Sequence, residues 1–220
     1  MSKAEQRDFD ADKKHALALI PVSRETEKRL VSFVEVLLLW QKKTNLIASS
    51  TVPQLWSRHV ADSLQLLALA PDAKLWVDFG SGGGFPGIPI ACALADKPGA
   101  TVHLVESNSK KAAFLREAVR AAGVPAQVHA VRIENFGESF EKKVDVVTAR
   151  ALAPLKMLCD QAFKFLVQGA IGIFPKGQDV EVELTEAAKY WNVQATKVPS
   201  RTSPDGSLVV IHGLNPRRSS

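Results

Sequence analysis

The stretch "VDFGSGGGFPGIPIA", residues 77–91, has the composition of a loop that holds a nucleotide-like ligand. Its glycines fit two fingerprints, G-x-G-x-x-G at Gly82, Gly84 and Gly87, and D-x-G-x-G-x-G at Asp78, Gly80, Gly82 and Gly84. The first fingerprint is typical of a dinucleotide site, in which the loop approaches a pyrophosphate. The second is typical of a site for S-adenosylmethionine. Either way, residues without a Cβ let the backbone turn sharply and approach a ligand closely.

Charge favours the second interpretation. A carboxylate at Asp78 would repel a pyrophosphate, whereas S-adenosylmethionine carries a cationic amine and a sulfonium and no phosphate. Glu106 follows Gly84 by 22 residues, at the end of the next predicted strand, where an acidic side chain can accept hydrogen bonds from both hydroxyls of a ribose. Both cofactors contain such a ribose, so Glu106 predicts a nucleoside without choosing between them.

Two further positions are candidates for cofactor binding. Ile133 and Glu134 follow the third predicted strand, where they could pack against an adenine and accept from its amine. Arg150 ends the fourth predicted strand and could hold the cofactor carboxylate or a nucleotide phosphate. A surface ion pair is the alternative for Glu134 and for Arg150.

Other polar residues are candidates for contact with a substrate. Arg58, His59 and Asp62 flank the apolar stripe of a predicted helix, and the alternative is an Arg58–Asp62 ion pair beside a satisfied histidine. Lys110 and Lys111 fall in the first turn of another predicted helix, where the helix dipole disfavours cations, which points to a phosphate partner. Lys176 follows the fifth predicted strand and is either near the substrate or solvated.

Composition indicates a globular protein with a modest preference for polyanions. Of 220 residues, 28 are basic and 23 acidic, a formal net charge of +5 that favours contact with nucleic acid without requiring it. Cys92 and Cys159 lack metal-ligand spacing, so no metal is expected. The apolar run near the N-terminus is too short for a signal peptide and no stretch is long enough to span a bilayer, so we expect a cytoplasmic protein.

The elements that must position these residues alternate between strands and helices after a helical beginning. Periodicity predicts amphipathic helices over residues 24–43, with Ser23 as N-cap, and 53–69, with Pro53 in the first turn. The predicted strands are "LWVDFG", "TVHLVES", "AQVHAV", "VDVVTAR" and "AIGIFPKG", and the helix after the second strand should begin at an N-cap Ser109 and stop at Gly123.

This alternation predicts an α/β fold with a doubly wound parallel sheet. Residues 193–214 read as two strands around a Pro-Asp-Gly loop, an antiparallel hairpin that is typical of class I methyltransferases rather than of nicotinamide domains. We therefore expect an N-terminal helical extension, residues 1–70, packed on a methyltransferase core, residues 71–220, as one globular unit.

Six segments together resemble the bacterial small-subunit ribosomal RNA methyltransferase G family, also called glucose-inhibited division protein B. They are "NLIAS" at 45–49, "RHVADSL" at 58–64, "VDFGSGGGFPGIPIA" at 77–91, "ESNSKKAAFL" at 106–115, "RIENF" at 132–136 and "TARALAPL" at 148–155. The most distinctive piece is "GFPGIP" within the glycine loop.

The resemblance implies transfer of a methyl group from S-adenosylmethionine to N7 of guanine-527 in the decoding-region loop of 16S rRNA. The cofactor contacts that it implies fall on Gly80, Phe85, Ile133, Glu134 and Arg150. It also implies that Arg58, His59 and Asp62 face the substrate, and that the partner is 16S rRNA or a small-subunit assembly particle. We expect a monomer.

Guanine N7 carries a free lone pair, so the reaction needs no general base, and positioning supplies the catalysis. We therefore assign no catalytic residue. Three alternatives stay open: a methyltransferase acting on another RNA or a small molecule, a nicotinamide-dependent oxidoreductase, and a non-catalytic RNA-binding protein with this fold.

Overall fold

The computed structural model describes residues 3–217, so residues 1–2 and 218–220 of the two predicted units lie outside it. Its seven-stranded sheet has the order β3-β2-β1-β4-β5-β7-β6. The strands are β1 (Leu75–Phe79), β2 (Thr101–Val105), β3 (Ala126–His129), β4 (Val146–Ala149), β5 (Ile171–Lys176), β6 (Trp191–Pro199) and β7 (Ser207–Pro216). Strands β1 to β5 are parallel, and β7 runs antiparallel to both β5 and β6. The predicted sheet and terminal hairpin are confirmed.

Helices cover both faces of the sheet. They are α1 (Lys3–Leu19), α2 (Arg24–Gln41), α3 (Asp62–Leu64), α4 (Gly87–Leu94), α5 (Ser109–Ala122), α6 (Ile133–Ser139), α7 (Leu155–Leu166) and α8 (Val180–Ala187). Side chains alternate along each strand, so Trp76 of β1 joins the core under α2, α4 and α5, whereas Val77 joins the core under α7. The helices before residue 70 share a core with α4 and α5, and the domain boundary itself stays a prediction.

The prediction of one regular helix over residues 53–69 is wrong. These residues belong to a composite segment, residues 49–69, made of a 3-10 helix (Ser49–Gln54), a π-helix (Trp56–Ala61), α3 and a second 3-10 helix (Gln65–Leu69). Pro53 lies inside the first of these and has no N–H to donate. The N–H groups of Trp56 and Ser57 donate to Asp12 of α1 instead of continuing a regular α-helical pattern.

The N-cap of α5 lies one residue earlier than predicted. The side chain of Asn108, not Ser109, accepts hydrogen bonds from the N–H groups of Lys110 and Lys111, at 3.0 and 3.1 Å. Ser109 is the first helical residue, because the Asn108 carboxamide reaches the two free N–H groups that follow. Gly123 ends the helix with a left-handed φ of 62°, as the sequence predicts. Ser23 caps α2, also as predicted.

This correction can be tested by two neighbouring substitutions. Asn108→Ala should lower the free energy of unfolding by about 1 kcal/mol, because two N–H groups lose their acceptor. Ser109→Ala, which removes a hydroxyl that caps nothing, should change it by less than about 0.5 kcal/mol. Urea unfolding of both variants measures the difference, and a larger loss for Ser109→Ala would restore the original assignment.

Candidate active site

The candidate residues meet at the carboxyl end of the parallel sheet, around β1 and β4. These strands are adjacent, and the chain continues outward from them in opposite directions, through β2 and β3 on one side and β5 on the other. A crevice opens where the strand order reverses, and ligands of open α/β folds bind there. The loop after β1 carries the glycines, and the loop after β4 begins with Arg150.

The glycine loop turns on left-handed residues. Gly80 and Gly82 have φ values of 63° and 51°, which side chains rarely tolerate. A Cβ built on Gly82 would meet only the Gly80 carbonyl oxygen, at 3.6 Å, so the backbone there is open to a ligand. This bare backbone fits the close approach of a nucleoside cofactor. By contrast, a Cβ on Gly80 would lie 2.6 Å from the Leu152 Cδ1, because Leu152 lies over that end of the loop.

Asp78 supports this loop from beneath. Its carboxyl is fully buried, and Oδ2 accepts the N–H of Gly87 at 3.2 Å. Burial raises the pKa of Asp78 to about 7. Oδ1 has no hydrogen-bond partner among residues 3–217. Direct contact between Asp78 and a cofactor stays a prediction, and the contact that the structure shows is with the loop itself.

Gly87 serves packing. A Cβ there would lie 2.2 Å from Leu104 Cδ2 and 2.8 Å from the Asp78 carboxylate. Gly87 begins α4, and the peptide bond between Phe85 and Pro86 before it is cis. The G-x-G-x-x-G spelling is therefore explained by close packing between α4 and the sheet.

Glu106 joins the loop to the start of α5. Its Oε2 accepts the N–H of Gly82 at 3.0 Å, and Oε1 accepts the N–H of Asn108 at 2.7 Å. A carboxylate can accept about four hydrogen bonds, so lone pairs remain for ribose hydroxyls. Glu106 is 8% exposed, at the edge of the open space above Gly82. Its predicted ribose contact stays a prediction that this geometry permits.

Two cofactor candidates and two substrate candidates lie at the starts of helices α6 and α5. Ile133 and Glu134 are the first residues of α6, after β3, and Glu134 is exposed. Lys110 and Lys111 lie in the first turn of α5, beside Glu106 rather than beside the other substrate candidates. Lys110 is exposed and Lys111 half-buried, so a phosphate contact stays a prediction for both.

Arg150 connects the glycine loop to the composite segment. Its Nη1 donates to the Arg58 carbonyl at 3.0 Å and to Asp62 Oδ2 at 3.3 Å. Its Nη2 donates to His59 Nδ1 at 2.5 Å. The guanidinium also lies over the ring of Phe85, 5.2 Å from its centroid, in cation–π contact. Arg150 thus forms an interior ion pair, and the predicted Arg58–Asp62 alternative is replaced by Arg150–Asp62.

His59 is a neutral histidine with both ring nitrogens engaged. The Thr51 hydroxyl donates its proton to the Ala48 carbonyl. Thr51 Oγ1 also lies 2.7 Å from His59 Nε2, and because its proton is already used, it must accept the Nε2–H of His59 there. Nδ1 is then free to accept from Arg150, which assigns the tautomer. Burial, together with the charges of Arg150 and Arg58, lowers the pKa of His59 to about 3. Near neutral pH this imidazole is therefore uncharged, and both of its nitrogens are already hydrogen-bonded.

A cleft of about 1130 Å³ adjoins this network. Its lining includes the predicted substrate residues Arg58, His59, Asp62 and Lys176, together with Arg150. Lys176 is not solvated, because its ammonium pairs with Glu183 at 2.7 Å and donates to the Ala153 carbonyl. Arg58 is exposed and is therefore the accessible cation of this set. The glycine loop lies outside the lining.

Sequence reasoning missed several residues that shape this region. Gln65 is buried and donates to Asp62 and to Thr202 of the loop between β6 and β7, and Thr202 donates to Asp62 at 2.6 Å. Ala151 adopts a left-handed φ of 51°, which is uncommon without glycine, and turns the chain so that Leu152 covers Gly80. A local sequence pattern cannot predict contacts between residues more than a hundred positions apart, such as that between Thr202 and Asp62.

The described part of the chain, residues 3–217, contains neither a cluster of metal ligands nor a helix that could span a membrane. No group of three or more His, Cys, Asp or Glu side chains is arranged to hold a metal ion within these residues. None of the helices there is long and apolar enough to cross a membrane.

The burial of Asp78 predicts a pH dependence of stability. Because its folded pKa of about 7 exceeds the ordinary 3.8, the folded chain binds the extra proton, so stability falls as pH rises between these values. Asp78→Asn cannot ionise, so its melting temperature minus that of the unchanged chain should increase from about pH 5 to about pH 8. Asp72→Asn, at an exposed turn, controls for the lost charge. A difference that does not change with pH would show that Asp78 ionises normally.

Two solved structures that share this fold are O-methyltransferases with SAH or SAM bound. The O-methyltransferase from Bacillus cereus in complex with SAH aligns with a TM-score of 0.59 at 15% identity, covering 92% of this chain and 97% of that one. The O-methyltransferase TomG from Streptomyces achromogenes in complex with SAM aligns with a TM-score of 0.58 at 16% identity, covering 97% and 100%. At this identity the likeness establishes the fold, and the predicted class I methyltransferase fold is confirmed.

Sequence comparisons identify the family. The family model for rRNA small subunit methyltransferase G matches residues 26–208. The ribosomal RNA small subunit methyltransferase G of Nitrobacter hamburgensis is 59% identical over 94% of this chain and 80% of its own length. That of Bradyrhizobium sp. (strain ORS 278) is 55% identical over 98% and 97%. The chain belongs to the rRNA small subunit methyltransferase G family.

Proposed function

We propose that this chain transfers a methyl group from S-adenosylmethionine to N7 of guanine-527 in 16S rRNA. The observation that carries the proposal is the Arg150 network, which places a polar cleft directly beside a glycine loop of the S-adenosylmethionine type. Membership of the family supports this reaction, and the cleft beside the glycine loop supports this location for it.

The residues present fit the cofactor. The open backbone of Gly82 and the carboxylate of Glu106 would hold the ribose, and Ile133 and Glu134 would hold the adenine. Arg150 uses three of its five N–H donors on described partners, so two remain for a carboxylate or a phosphate. Bound here, S-adenosylmethionine supplies a methyl group on a cationic sulfur. Gly80, Gly84 and Phe85 complete the proposed contacts.

The chain's contribution to chemistry is position and polarity. Methylation of N7 uses a lone pair that is already free, so no residue has to remove a proton. His59 agrees with this, because it is neutral and both its nitrogens are committed. Holding the base, the methyl group and the leaving sulfur in line lowers the barrier through orientation alone. The rigid contacts among Arg150, Asp62 and Thr202 keep the cleft wall in place for that alignment.

We propose 16S rRNA, free or in an assembling small subunit, as the partner of the cleft. Arg58 and the lysines Lys110 and Lys111 would contact phosphates, whereas the cleft would receive an unstacked base. Lys176 would act indirectly, through its bonds to Ala153 and Glu183. We propose that the protein works as a monomer in the cytoplasm, where its substrate is made.

The direct test is methyl transfer with purified protein, labelled S-adenosylmethionine and 16S rRNA, supplied both naked and partly assembled with ribosomal proteins. The label should appear at one guanine, where borohydride and aniline should then cleave the chain, as they do at N7-methylguanosine. Label at another atom, or none with any form of the rRNA, would contradict the proposal. Transfer to small molecules alone would favour the alternative class.

Two glycine variants provide the matched control for that test. Gly82→Ala places a methyl group in the open space above the loop and should weaken cofactor binding at least about tenfold. Gly99→Ala carries a similar backbone strain, at φ 78° with nothing within 4 Å, far from the loop, and should bind normally. Equal losses in both variants would mean that strain, not the cofactor site, is responsible.

A further inference from the structure

Asp12 of α1 forms three hydrogen bonds to the composite segment. Its Oδ2 accepts the backbone N–H groups of Trp56 and Ser57, at 2.9 and 3.2 Å, and its Oδ1 accepts the Ser57 hydroxyl at 2.5 Å. The two N–H groups begin the π-helix Trp56–Ala61. The first N–H groups of a helix have no acceptor within it, and a carboxylate there also meets the positive end of the helix dipole.

The capped residues directly precede Arg58 and His59. Fixing the backbone at Ser57 therefore fixes where the next side chains leave the helix. His59 is held at its other end by Thr51 and Arg150, whereas the exposed Arg58 side chain depends on the position of its own backbone. The Arg58 carbonyl also accepts from Arg150, so the same turn aligns the Arg150 network.

Helix α1 both lines the cleft and holds the composite segment through Asp12. Asp12 and His15 belong to the cleft lining, and Lys13 lies over the ring of Trp56, 5.2 Å from its centroid. All three residues precede the region matched by the family model, which starts at residue 26. The wall of the cleft thus includes a helix that lies outside the residues matched by the family model.

We propose that Asp12 is a positioning residue for rRNA binding, which sets the orientation of Arg58 through the N–H groups of Trp56 and Ser57. This inference rests on the proposed function. Asp12 makes no contact with the reacting atoms in this account, and its effect reaches the RNA through the π-helix.

Three variants separate this role from general stabilisation. Asp12→Ala removes both carboxylate oxygens, and with them all three hydrogen bonds, and should raise the KM for rRNA about tenfold, while kcat and the cofactor Kd stay within about twofold. Asp12→Asn keeps one oxygen for the two N–H groups, and its amide can donate to Ser57, so it should restore KM to within about threefold of normal. Asp10→Asn, on the exposed side of α1 and bonded to Gln6, is the charge control.

Steady-state methylation of rRNA by all four proteins, with the melting temperature of each, gives the answer. A reduced kcat at unchanged KM for Asp12→Ala would mean that it only lowers the folded fraction, which overturns the proposal. An unchanged KM and kcat would overturn it too, as would an equal rise in KM for Asp10→Asn. Inactivity of the unsubstituted chain toward rRNA would instead contradict the proposed function, so the two failures are distinguishable.

Discussion

The Arg150 side chain is only 17% exposed, so its guanidinium needs fixed acceptors, and the arrangement of the site follows from where these acceptors lie. They come from the composite segment, as the Arg58 carbonyl, the His59 ring and the Asp62 carboxylate. The apolar part of its surroundings is the ring of Phe85, from the glycine loop. One cation thereby holds together the loop that would bind cofactor and the segment that would face RNA, and it belongs to neither.

The partners of Arg150 are in turn held by parts of the chain that are distant in sequence. Asp62 receives bonds from Gln65 and from Thr202 in the terminal hairpin, so the loop between β6 and β7 closes one side of the cleft. Asp12 of α1 fixes the start of the π-helix within the same segment. On the cofactor side, Asp78 and Glu106 bond to backbone N–H groups of the loop and keep its shape. The site is therefore built from five regions of the chain: α1, the composite segment, the glycine loop, the loop after β4 and the loop between β6 and β7.

The sequence was sufficient for the fold because the fold depends on local signals. Strands with continuous apolar runs, a capping side chain before α5 and glycine after it all follow from short-range rules, and the one-residue error at Asn108 came from two adjacent residues that can both cap. The composite segment could not be predicted, because its π-helix depends on a carboxylate 44 positions away. The sequence also identified candidate site residues more readily than it identified the contacts that each of them makes. The sequence did not predict that Asp78 would be buried and bonded to Gly87, or that Lys176, which lines the cleft, would be paired with Glu183.

A double-mutant cycle between Arg150 and Asp62 tests most directly whether this partly buried ion pair joins the two halves of the site. Arg150→Met and Asp62→Asn would be compared singly and together by the free energy of unfolding. The account predicts that the two losses in the free energy of unfolding are not additive, with a coupling of about 1–3 kcal/mol, because either change alone leaves the other side chain without its ion-pair partner. Additivity to within about 0.5 kcal/mol would contradict it, since the two side chains would then act independently.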